Sequence, residues 1–89
     1  MRDEKKELLK DELRILAIKT RDRLNITQGK MAKALEMSES SYSDIETGKA
    51  MCGTLTAVLL LDMQEDPTDF LQNLRTKFSK QYEERMHSV

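Results

Sequence analysis

Proline occurs once and glycine three times in the 89 residues. A β-rich chain of this length needs more turn residues than that, so helices are favoured. Aromatic residues make up 4%, too few for a stacking platform that would hold single-stranded nucleic acid. There is one cysteine, Cys52. It cannot form an internal disulfide, which fits a reducing compartment, and it reads as a small apolar side chain rather than a redox sensor.

Long apolar runs are also missing. The opening MRDEKKELLKDELR has no hydrophobic stretch of the signal-peptide kind. The longest apolar stretch, Leu55 to Leu61, is interrupted by Thr56 and is far too short to span a bilayer. The expectation is a cytoplasmic protein without a membrane partner. No sign of charge dominates. The net charge is −1, so bulk charge gives no argument for nucleic acid. By segment, residues 1–26 carry +2, residues 27–49 carry −1 and residues 50–89 carry −2, and none is a strong basic patch.

The groupings that catalysis needs are absent as well. No Ser/His/Asp or Cys/His set stands at useful spacing, and no glycine-rich loop could cradle a phosphate. His87 stands alone near a terminus, without the partners a metal site needs. The sequence therefore reads as a non-enzyme with no catalytic residues, no metal site and no cofactor.

What remains is a mixed, charged, helix-forming chain of one domain, residues 1–89. The spacing predicts five helices. The first spans about Asp3 to Leu24, with an apolar stripe of Leu9, Leu13, Leu16, Ala17 and Leu24. Leu8, Ile15 and Ile18 widen it, and Asn25 tolerates the left-handed conformation that ends a helix. Thr27 caps a second, about Gln28 to Leu35, with Met31, Ala32 and Leu35 facing inward. Ser38 caps a third, about Glu39 to Thr47, with Tyr42 and Ile45 inward and Gly48 at its end. A fourth, about Leu55 to Met63, is apolar on most sides and is expected to be buried. Asp66, Pro67 and Asp69 agree on the start of a fifth. Its stripe of Phe70, Leu71, Leu74, Phe78, Tyr82 and Met86 carries it to about Arg85.

The second and third helices, joined by Glu36 to Ser38, form a helix-turn-helix pattern at residues 28–47. Several residues here are those of a known family: Arg21, Thr27, Gln28, Met31, Ala32, Leu35, Ser38, Ser41, Tyr42, Ile45, Glu46 and Gly48. Leu55, Leu59 and the stretch from Asp66 to Leu71 continue the match. The chain resembles the phage-repressor-like (Xre-type, lambda repressor-like) helix-turn-helix regulators, in unbroken register over residues 13–71. The resemblance implies an all-α, five-helix lambda repressor-like domain. Residues 1–12 and 72–89 then extend its first and last helices.

The resemblance also implies a function, sequence-specific binding of double-stranded DNA in transcriptional regulation. The third helix is expected in the major groove. The candidate DNA-binding residues are Gln28 and Lys33 on the second helix, Glu39, Ser40, Ser43 and Asp44 on the third, and Lys49 in the loop beyond. For Lys30 and Lys33 a merely solvated face is an equal alternative to phosphate contact. For Glu39, Ser40 and Asp44 the alternative is an ordinary exposed helix face. Arg21 and Glu46 are implied as a structural ion pair.

Two features depart from the family pattern. Glu36 stands where a turn glycine is common, so either a non-glycine takes a positive φ at some cost or the turn differs. No lysine or arginine lies between Ser38 and Gly48, and Glu39 and Asp44 occupy base-reading positions. A carboxylate beside phosphates is unfavourable, although it can accept from a cytosine amino group. The acidic third helix supports an alternative, a protein-interaction module or an antitoxin-type partner subunit built on the same fold. Leu8, Leu9, Leu74, Phe78, Tyr82 and Met86 lie outside the compact family core. They are expected either to pack together within one chain or, as the favoured arrangement, to form a homodimer.

Overall fold

The computed structural model describes the backbone of residues 2–87 and the side chains of residues 3–79. Five helices follow one another: α1 (Arg2–Leu24), α2 (Gln28–Ala34), α3 (Glu39–Glu46), α4 (Thr54–Asp62) and α5 (Pro67–His87). No strand occurs among the described residues, and no helix there is long and apolar enough to cross a membrane. The long α1 is the spine. It packs against α3, α4 and α5, while α2 packs on α3. The chain is elongated, with extents of 47 × 26 × 19 Å.

The boundaries follow local chemistry. Thr27 and Ser38 sit at extended backbone angles, and their hydroxyls accept from the N–H of Lys30 and Ser41. Each thereby satisfies a donor that the first helical turn leaves unpaired. Asp66 Oδ1 accepts from the N–H of Thr68 at the start of α5.

Three helices end alike. Asn25, Glu36 and Gly48 have φ of 54°, 57° and 81°, the left-handed conformation. At each, the residue's own N–H reaches back three residues, to Asp22, Lys33 and Ile45. The next N–H reaches back five, to Arg21, Ala32 and Asp44. These are Schellman closures, which satisfy the last carbonyls of a helix. The turn at Glu36 keeps this form even though it holds a glutamate.

The core is small and continuous. Leu13 and Ala17 of α1 meet Met31, Ala32 and Leu35, then Tyr42 and Ile45, with Cys52 and Leu60 closing it. Met31, Tyr42 and Leu60 are fully buried; each such side chain stabilises by about 1.5–3 kcal/mol. Thr20, also buried, donates to the Leu16 carbonyl and accepts from Gln64 Nε2, which donates to the Leu60 carbonyl as well. Arg23 donates to the Met63 carbonyl at 2.8 Å. The end of α4 is thus tied to α1 through the Gln64–Thr20 contact and the Met63 carbonyl.

Two sequence expectations are corrected. The apolar α4 is not buried: Leu55 is 64% and Val58 57% exposed, and Leu60 is its fully buried residue. One side of α4 meets α1, and no described element covers the opposite side. Leu24 and Ile15, placed on the apolar stripe of α1, are also exposed.

The extensions pack on each other in part. Glu12 is buried on α1 and accepts from Asn73 at 3.2 Å and from Lys77, both on α5. Lys5 stands 5.8 Å from the centre of the Phe78 ring. Leu71 stays 49% exposed. The side chains of Tyr82 and Met86, expected on the same stripe, lie outside the described residues.

Candidate nucleic-acid interface

The α2–α3 unit is held by one carboxylate. Glu46, on the last turn of α3, accepts from Arg21 of α1 through two contacts, Nε at 2.7 Å and Nη2 at 3.1 Å. It also accepts from Gln28 Nε2 of α2 at 2.9 Å and from the Tyr42 hydroxyl. Arg21 Nη1 donates onward to the Ile26 carbonyl. The Glu46 side chain is 7% exposed and that of Arg21 25%, so the pair is screened on the carboxylate side and reaches water on the other.

The charge state of this cluster is set by its own contacts. Burial works to raise the Glu46 carboxyl, but the Arg21 guanidinium, the Tyr42 hydroxyl and the Gln28 amide together hold it below its ordinary range. The hydrogen bond to Glu46 raises Arg21 further, against burial. Burial, then the Glu46 contact, pushes the Tyr42 phenol well up. At neutral pH the cluster is therefore a carboxylate, a guanidinium and a neutral phenol.

With Tyr42, Ile45 and Glu46 buried, helical periodicity puts Ser40, Asp44 and Thr47 on the opposite face. Ser40 and Thr47 are exposed, and Ser43 and Asp44 are half-buried. The Asp44 carbonyl accepts from the N–H of Lys49 and of Ala50, which turns the exposed Lys49 back beside the end of α3. Lys33 is exposed in the last turn of α2. Glu39 is exposed in the first turn of α3, and its carboxylate lies against Gly29, where a Cβ would meet Oε1 at 3.4 Å.

The anticipated residues thus fall into separate groups. Ser40, Ser43, Asp44 and Lys49 border one outward surface. Glu39 turns toward α2. Gln28 is engaged with Glu46. Two neighbours of that surface were missed by sequence reading. Thr47 shares its face, and helical spacing alone could have found it. Arg14 Cδ lies 3.7 Å from the position of a Cβ on Gly48, which puts a base beside the end of α3, where it suits the helix dipole. No local signal marks Arg14, because its place depends on how α1 crosses α3.

A capped helix, a tight closed turn and a second capped helix with one free face define a helix-turn-helix protein. The helix-turn-helix family model matches residues 18–62, and the chain belongs to this Xre-type, lambda repressor-like family of DNA-binding regulatory domains. No curated protein and no solved structure matches the chain.

Proposed function

We propose that this protein is a transcriptional regulator of the repressor type that reads double-stranded DNA through the outward face of α3. The observation that carries it is the free face of Ser40, Asp44 and Thr47, on a helix whose other side is locked to α1 and α2 through Glu46. Hydroxyls and a carboxylate on that face can accept from or donate to base edges in the major groove. Lys49 and Lys33 are the phosphate contacts, and Gln28 supports them from the start of α2. Cys52, a buried free thiol, suits the reducing cytoplasm.

A second copy is part of this reading. Half-sites about one helical turn apart need a fixed partner. The extensions supply the surface, a groove of about 480 Å³ lined by Lys5, Leu74, Arg75 and Phe78 and bordered by Leu71, the half-exposed last residue of the family-like core.

A second reading has its own support. The DNA-facing helix carries acids and no bases, and the Gln28 amide is committed internally. Both features suit a partner subunit or antitoxin-type interaction module that keeps the fold with little DNA binding. Selection of full-length protein on a random duplex pool at low salt separates the two. Enrichment of a defined sequence supports the regulator, with a shallow salt slope because few bases are available. No enrichment moves the assignment to the interaction module.

A further inference from the structure

Glu39 opens α3, yet its carboxylate does not stand out along the free face of that helix. A Cβ on Gly29 would lie 3.4 Å from its Oε1 and 3.7 Å from its Oε2. The acid leans across the seam between α2 and α3, onto a residue that has no side chain. Helical spacing agrees, since Glu39 falls to the flank of the face that Ser40, Asp44 and Thr47 share.

A carboxylate at the head of a recognition helix can act in two ways. It can reach into the groove and accept from a cytosine amino group. Otherwise it stays beside the strand that the preceding helix crosses, as a negative charge among phosphates. The lean onto Gly29 favours the second. Nothing in the same helix offsets it, because no lysine or arginine lies between Ser38 and Gly48.

We propose that Glu39 sets the overall strength of DNA binding rather than the choice of base: its carboxylate, folded over Gly29, opposes the phosphate backbone and weakens binding on every sequence. This rests on the DNA-binding reading. One unit of charge at such a place changes affinity by roughly two- to fivefold in dilute salt. The effect fades as added salt shortens the Debye length.

The test uses full-length protein and its selected duplex, with a scrambled duplex beside it, at low and at moderate salt. Glu39→Gln should bind both duplexes about two- to fivefold tighter, and Glu39→Lys tighter again, with base preferences unchanged and the gain shrinking as salt rises. Glu36→Gln removes the same charge beyond the other end of α2, about 10 Å further along its axis; its gain should be less than half as large.

Weaker binding by Glu39→Gln, or a changed preference at one base pair, overturns the proposal and makes Glu39 a base reader. An equal gain from Glu36→Gln overturns it too, leaving net charge as the cause. If neither the wild type nor Glu39→Gln enriches any sequence, the DNA-binding reading falls and the proposal falls with it.

Discussion

Lys77 on α5 donates to the Glu12 carboxylate on α1, across 65 residues of chain. Glu12 is 10% exposed at its side chain and Lys77 43%, so the acid is the buried partner. Lys77→Ala leaves that acid with Asn73 alone. The expected loss is about 1–3 kcal/mol, the cost of under-satisfying a buried polar group. It is read from the denaturation midpoint. An unchanged midpoint would mean that α5 is held by its apolar side alone.

Glu46→Ala removes the acceptor shared by Arg21, Gln28 and Tyr42. Arg21 can turn to water while the Tyr42 hydroxyl is left buried, so the expected cost is about 1.5–3 kcal/mol, or a melting temperature lower by roughly 10 °C. Tyr42→Phe keeps the ring in the core and removes one donor from the carboxylate, at about 1 kcal/mol. A Glu46→Ala protein that melts with the wild type would show the pair to be worth no more than a surface contact.

The same carboxylate gives stability a pH dependence. Its folded-state value lies below the ordinary 4.5. On acidification the unfolded chain therefore takes up this proton first, and stability falls with pH. The contribution is complete above about pH 4.5 and is lost as pH falls through the folded-state value. Melts between neutral pH and the acid limb should show a steeper decline for the wild type than for Glu46→Gln. Parallel curves would sink the assignment.

Glu36 holds φ of 57°, which costs a non-glycine residue about 1–2 kcal/mol. Glu36→Gly relieves that strain but enlarges the freedom of the unfolded chain. The net expectation is a gain of about 0.5–1 kcal/mol, a few degrees in melting temperature. Glu36→Ala, which keeps the strain, should not share it.

On DNA, substitutions at Ser40 and Asp44 should change the preferred base by about 1–3 kcal/mol at one position each. Lys49→Ala should weaken all sequences alike and lower the salt slope by about one. Gln28→Ala should also weaken all sequences, and it should lower stability by about 1 kcal/mol because Glu46 loses a donor. A uniform effect from Asp44→Ala would remove it from base reading.

Association is tested by sedimentation equilibrium of the full chain against a chain ending at Asn73. A full-length monomer at tens of micromolar would end the dimer proposal. Equal association of both forms would move the interface away from α5.

Much of the fold was legible because helix ends are local. Thr27, Ser38 and Asp66 cap by reaching two or three residues, and Asn25 and Gly48 close helices with their own backbone. The Arg21–Glu46 pair was legible through family resemblance. Its extension to Gln28 was not, because it depends on the angle between α2 and α3. Glu12 was illegible for the same reason, since its partners lie far along the chain. The exposed side of α4 was misread because apolar content records what a helix could bury, and not how many neighbours a small domain can supply. Leu55 and Val58 have none to cover them.

The Glu46 carboxylate takes hydrogen bonds from three different helices, through Arg21, Gln28 and Tyr42. That arrangement fixes the pitch of α3 against α1 and α2. Little conformational entropy then remains for the protein to lose on docking. In the proposed reading it is then the duplex that must bend or shift to bring its base edges to Ser40 and Asp44.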